Sequence, residues 1–265
     1  MNAKNVICVA ATAFLAACGG GDGGSTAGGD ASTTPPQDVT PVGLWVGTID
    51  EGAPDPLMMM VQGDGSYRAL FVDNNNNTVV NGVSVPVPVG VFGGKMKPTG
   101  TQFVDTSSIL LLQPVNKVPF ITAVSLSGSF TPSSNLTGQL ANSTTFMANY
   151  AQSDPLPDVN TTANWRGPGI GMSKVNAATQ VDVTLGPPSG KFTGSSGSCT
   201  FSGSLIPAGP GNPTFIGGIT FTSSECRMGN NTKVSISAMF VNGRMIVVGI
   251  TDTTTGGLGF IAIKQ

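Results

Sequence analysis

The chain contains no histidine. That removes the commonest catalytic base and metal ligand at neutral pH. Every Ser-His-Asp or Cys-His arrangement goes with it, as does every zinc motif that needs imidazole. Charge is scarce as well: 10 % of the 265 residues are Asp, Glu, Lys or Arg, against about 25 % in an ordinary soluble domain. The formal net charge is −2, so the chain lacks the basic excess that drives counterion release, and nucleic acid is not an expected partner. Helical periodicity is missing too. From Val42 onward no stretch of the sequence holds a 3.6-residue apolar period over three turns. In its place are 37 Gly, 19 Pro and short β-rich runs.

The N-terminus is the most informative segment. Met1 to Asn5 is polar with one cation, Lys4, and Val6 to Ala17 is apolar apart from Thr12. A transmembrane helix needs about 20 apolar residues. The shorter run, with a charged start and small residues before a junction, reads as a secretory signal over 1–17. The junction is Leu15-Ala16-Ala17-Cys18-Gly19. It resembles the lipobox of bacterial lipoproteins, in which the cysteine is lipidated and becomes the first mature residue. The resemblance implies that Cys18 carries the lipid and that the protein is held to a membrane by its acyl chains. One acyl chain alone holds only marginally, and the family carries three. In that family an Asp directly after the cysteine signals retention at the inner membrane. Gly19 stands there, with the first acid at Asp22, so the resemblance implies the outer membrane.

The cysteine count then becomes simple. Cys8 leaves with the signal and Cys18 is lipidated, which leaves Cys199 and Cys226 in a compartment that permits disulfides. The two are expected to pair. There is no Cys-x-x-Cys that would suggest a redox-active site.

Residues 18–41 form a linker of Gly, Ser, Thr, Asp and Pro with almost no large apolar residue. Such a stretch cannot bury enough surface to offset its ordering entropy, so it is expected to be a disordered tether. From residue 42 onward the expectation is all-β. The first set of strands is read at 44–49, 57–62, 66–72, 87–92, 102–112, 120–130, 136–140 and 145–150, with Asp64-Gly65 as a hairpin turn. Asp73 to Asn77 reads as a loop, and Pro86 and Pro88 demote 83–89 to an edge or an extended connection. The segment 153–162, with Pro155 and Pro157 and no alternation, reads as a boundary between β domains at 42–152 and 163–265. The second set is read at 165–172, 180–185, 191–194, 199–206, 214–222, 233–241, 244–251 and 258–263, with Asn242-Gly243 as its clearest hairpin.

The halves repeat a pattern. Trp45-Val46-Gly47 is answered by Trp165-Arg166-Gly167, and Gly65-Ser66-Tyr67 by Gly190-Lys191-Phe192. This reads as a tandem duplication: two small antiparallel barrels or sandwiches, each a meander of short strands. Gly43-Leu44-Trp45 resembles the Gly-x-Trp near the start of lipocalin-type barrels. That resemblance implies that Trp45 and Trp165 close the barrel bases as core aromatics, and that Arg244 covers the second. Gly128-Ser129-Phe130 and Leu136-Thr137-Gly138-Gln139-Leu140 are similar to strands of the barrels in Neisseria-type surface lipoproteins, whose members bind host factors.

Candidate chemistry is thin. Met58-Met59-Met60 would suit Cu(I), but strand alternation splits the three thioethers between two faces, which reads as core. The acids do not fall into a carboxylate pair of the kind a glycosidase uses. Asp50 and Glu51 are adjacent, and Asp154 and Asp158 sit in the boundary segment. No Ser-x-x-Lys is present. Arg166, Arg227 and Arg244 would suit an anion site or a core edge. The resulting expectation is a non-enzymatic, outer-membrane-anchored lipoprotein with no cofactor and no metal. It would act as a binding module for another envelope or host protein, with its leaflet and oligomeric state open. The alternative is a lipocalin-like carrier of a small apolar ligand, with a cavity lined by Phe201, Phe215, Phe221 and Phe240.

Overall fold

The structure is a computed structural model, and it describes residues 38–50, 54–113, 120–141, 143–154, 162–174, 179–186, 190–251 and 256–265. The signal, Cys18, the tether as far as residue 37 and most of the 153–162 segment lie outside the described residues.

Two closed antiparallel barrels follow one another along the chain. The first is built from β1 (Gly43–Asp50), β2 (Pro54–Val61), β3 (Ser66–Val80), β4 (Val83–Lys95), β5 (Lys97–Thr99), β6 (Gln102–Leu112), β7 (Phe120–Thr131), β8 (Asn135–Leu140) and β9 (Thr144–Ala151). Its strands run in the order β4-β3-β2-β1-β9-β8-β7-β6-β5, and pairing of β4 with β6 closes the ring and leaves β5 as an appendage of β6. The second is a plain eight-strand meander: β10 (Ala163–Ile170), β11 (Thr179–Gly186), β12 (Lys191–Ser196), β13 (Cys199–Pro207), β14 (Phe215–Phe221), β15 (Lys233–Val241), β16 (Arg244–Ile250) and β17 (Gly257–Lys264), with β17 returning to β10.

Period two explains the interiors. In β11, Val181, Val183 and Leu185 point inward while Asp182 and Thr184 point out. In β1, Trp45 and Ile49 point inward. Asn242 and Gly243 both take positive φ, 51° and 69°, the signature of a tight two-residue turn.

The duplicated motifs occupy matching places. Gly47 and Gly167 each lie on the first strand of a barrel, pressed against its last. A side chain there would strike the backbone of Met147 or of Ile261. Gly65 and Gly190 share a φ of 82°. Each carbonyl accepts a hydrogen bond from a neighbouring strand, from Met96 N at 2.9 Å and from Leu205 N at 2.8 Å.

Three local expectations are corrected. Asp73 to Asn77 is not a loop, because β3 continues to Val80. Of the two readings of 83–89, the extended connection is corrected and the edge stands: β4 starts at Val83 and pairs with β3 around the tight turn Asn81-Gly82, while β6 joins β4 only at Gly90–Gly93. Proline is tolerated there because the β3–β4 register is irregular where Pro88 and Pro86 fall, opposite Val72 and Asn77. The short β5 was also not foreseen.

The barrels are not merely strung together. A third apolar cluster lies between them, made of outward-facing side chains. Leu44, Met60, Leu70, Val72, Val85, Val91 and Leu111 come from the first barrel, and Ile170, Met239, Ile246, Val248, Ile261 and Ile263 from the second. Gly259 forms a socket in this contact: a Cβ on it would lie 2.6 Å from Leu70 Cδ1 and 2.7 Å from Val91 Cγ1. Polar groups stitch the margins. Gln62 Nε2 donates to Thr214 Oγ1 at 3.1 Å, Asn212 Nδ2 to Gln62 Oε1 at 3.0 Å, and Arg68 Nη1 to Ser237 Oγ at 3.0 Å. The β3–β4 hairpin extends over the second barrel. There Asn81 Nδ2 meets Gln265 Oε1 and Arg244 Nη2 reaches Ser84 O at 3.4 Å.

Candidate binding surface

The barrel interiors are occupied by their own side chains. Trp45 is fully buried, donates Nε1–H to Pro41 O at 2.8 Å, and meets Tyr150 edge-on with ring centroids 5.5 Å apart. Trp165 is 3 % exposed and packs on Phe240 at 5.6 Å. Its Nε1–H finds no acceptor among the described residues. Arg244, read as the cation above it, instead turns to the first barrel. The four phenylalanines proposed to line a carrier cavity are in contact with one another. Phe201 lies 6.2 Å from Phe221 and Phe215 5.6 Å from Phe240, in one cluster with Trp165. Rings at this spacing fill the barrel.

The methionine run divides as alternation dictates. Met59 sits in the first barrel's core, Met60 in the contact between barrels, and Met58 packs against that contact. Cys199 and Cys226 form a disulfide with Cα atoms 4.5 Å apart, which ties the start of β13 to the segment after β14. The arginines do not converge. Arg166 Nε donates to Asp182 Oδ1 at 2.5 Å on the surface, Arg244 reaches Ser84, and Arg227 N donates to Met172 O. Partial burial lowers the pKa of Arg227.

One acid has a role that the sequence reading missed. Asp105 is buried and accepts from Lys95 N at 2.8 Å, Ser107 N at 2.8 Å, Ser107 Oγ at 3.0 Å and Tyr67 OH at 3.2 Å. It pins β4 to a bulge in β6 between Asp105 and Ser108. Tyr67 OH also meets Ser108 Oγ at 2.5 Å, and burial raises the Tyr67 pKa well above its ordinary value. An Asp two residues before a Ser, inside an alternating run, is the turn-forming signal that marks such a bulge. With four donors on one carboxylate, this cluster has the form of a staple. Asp64 is held by Ser66, whose hydroxyl lies at 2.6 Å and lowers its pKa, with Lys95 Nζ 3.7 Å away at the surface.

Among the recesses of the described residues, two bear on binding. A cleft of about 510 Å³ separates Asp64, Ser66 and Arg68 of the first barrel from Ile206 and Ile216 of the second. A larger groove of about 800 Å³ crosses β11 to β15 on the second barrel. Register builds its floor: Thr184 pairs with Thr193, Thr193 with Ser202, Ser202 with Thr220, and Thr220 with Lys233. The next row runs Gly186, Lys191, Ser204, Gly218 and Ser235. Hydroxyls nine to eighteen residues apart in sequence become neighbours only when the strands pair, so no linear motif announces them.

No family model matches the chain, and no curated protein matches it. Among solved structures it is similar to the isotype 1 transferrin-binding protein B from serogroup B Neisseria meningitidis, at 11 % identity and a TM-score of 0.32, over 82 % of this chain and 55 % of that one. It is likewise similar to a tryptophan-to-alanine mutant of transferrin-binding protein B from Haemophilus parasuis Hp5, at 12 % identity and a TM-score of 0.31, over 79 % of this chain and 53 % of that one. The chain spans about half the length of these proteins.

Proposed function

We propose that this is a lipid-anchored envelope protein that works by binding and not by catalysis. Residues 1–17 are its signal, Cys18 its lipidation site, 18–41 its tether, and 42–152 and 163–265 its two β domains, joined by 153–162. Its destination on this reading is the outer membrane, and its partner is another envelope or host protein. The observation that carries the binding role is the filled state of both barrels. With Trp45, Phe71, Phe92 and Phe103 inside one, and Trp165, Phe201, Phe221 and Phe240 inside the other, recognition is left to the outer surfaces. The same packing disfavours the carrier alternative.

Metabolic labelling with an alkyne-bearing fatty acid tests the anchor. Label on the wild-type chain that disappears in Cys18→Ala supports it, and equal labelling of both overturns it. Native mass spectrometry of the detergent-released protein tests the filled barrels. A stoichiometric apolar molecule that survives purification would restore the carrier reading.

A further inference from the structure

We propose that the groove across β11 to β15 binds an acidic oligosaccharide. This goes beyond the protein partner proposed above, adds a second ligand, and rests on the reading of the chain as a binding protein.

The first argument is a glycine at the groove, Gly218, inside β14. A mid-strand glycine weakens a strand and needs a reason. In the same sheet the reason is usually steric. A Cβ on Gly217 would lie 1.8 Å from Ser204 O, and one on Gly203 would lie 2.3 Å from Gly218 O. Gly218 is different. Among the described residues a Cβ on it would meet nothing nearer than Val234 O at 3.7 Å. It does not take a positive φ. The fold has room for a side chain there, and Gly218 lines the groove. The space it leaves suits an occupant that approaches the backbone closely.

The second argument is charge. Lys191 and Lys233 line the groove, and no carboxylate does among the described residues. Both are exposed, and neither is in an ion pair among the described residues. They stand on β12 and β15, three strand steps apart and two residues out of line in register, so their charges are well separated along the groove. That spacing addresses charges along an extended ligand better than one small ion. The third argument is the row Thr184, Thr193, Ser202 and Thr220, whose hydroxyls donate and accept, while the methyls of the three threonines offer a shallow apolar floor. A protein partner would need an exposed anchor such as Trp, Tyr or Arg. The large apolar residues lining this groove, Phe192 and Ile219, are buried.

The test uses the full-length protein in detergent and three probes: tetragalacturonate, maltotetraose and inorganic phosphate. Tetragalacturonate should bind at least about tenfold more tightly than maltotetraose, and more weakly as salt rises from 50 to 300 mM, because exposed charge pairs are screened. Lys191→Ala and Lys233→Ala should each weaken it several-fold. Gly218→Val should abolish binding while leaving the thermal midpoint unchanged or higher. A purely structural Gly218 would instead lower the midpoint and leave binding intact, which overturns the proposal. Equal affinity for maltotetraose overturns the acidic class, and a response to phosphate alone overturns the saccharide. If neither saccharide binds but an envelope or host protein is captured in a groove-independent manner, this proposal fails and the binding reading stands.

Discussion

The second barrel has two outer walls, and they differ in outward chemistry while sharing an apolar inner pattern. On β16 and β17 the outward positions include Ile246, Val248, Ile261 and Ile263, and the first barrel covers them. On β12 and β13 they include Thr193, Ser202 and Ser204, which line the groove. Large apolar residues face inward on both walls: Met245, Val247, Leu258 and Phe260 on one, Phe192, Phe201 and Leu205 on the other. The inner phase of a strand therefore encodes that a barrel closes. The outer phase encodes what the barrel meets. A strand apolar in both phases is covered on both sides.

The sharpest way to break this comparison is to place a charge on each wall. Val248→Asp would bury an uncompensated carboxylate between the barrels and should cost about 4 kcal/mol or more. Thr193→Asp, on the open wall, should change stability by less than about 0.5 kcal/mol. Urea midpoints of the two variants give the difference directly.

The open wall has no covering partner, but it has a covalent one. Cys199 begins β13 and is tied across 27 residues to Cys226. Replacing both cysteines by serine should cost about 3 kcal/mol in the chain-entropy account, read as a lower thermal midpoint without reductant. The same variant should show no further loss when reductant is added. The covered wall answers to packing instead. Leu70→Ala empties the socket at Gly259 and should cost about 2–3 kcal/mol, checked in the same urea titration.

The smallest effect concerns pH and lies in the first barrel. Tyr67 is held neutral by burial, so its folded pKa stands above the unfolded value near 10. Its stabilisation is complete below pH 10 and is lost as pH rises toward the folded value. The slope is about 1.4 kcal/mol per pH unit for one proton. Tyr67→Phe should flatten that alkaline slope, although it also removes one donor from Asp105.

Most strands were legible because alternation and turn residues agree over the barrels. The run 102–112 and the run 233–241 coincide with β6 and β15. Composition misled where polar residues line an exposed strand. Asp73 to Asn77 looks like a loop, yet Asn74 N donates to Asp55 Oδ1 and Asn74 Nδ2 to Pro54 O, which holds that part of β3 in place. Asn81-Gly82 carries the same turn signal as Asn242-Gly243 and marks the hairpin that the prolines obscured. The contact between barrels left its own trace, since Met245 to Val248 and Leu258 to Ile263 are unbroken apolar runs. A single half-exposed sheet does not need them. The groove left no such trace, because its residues come from five strands and are adjacent only in register.

The closure of the second barrel by β17 has a consequence for the order in which the chain is made. β17 follows the other seven strands of its barrel in chain order, and it completes two things at once: the ring with β10 and the apolar surface that meets Leu70 and Val91. Until it arrives, β10 and β16 each have a free edge, and the first barrel has an uncovered face. A chain interrupted before residue 257 would therefore present unpaired strand edges and exposed apolar side chains together, the two features by which unfinished β proteins aggregate or are recognised for degradation. Ring closure and the contact between barrels are thus completed by one and the same strand.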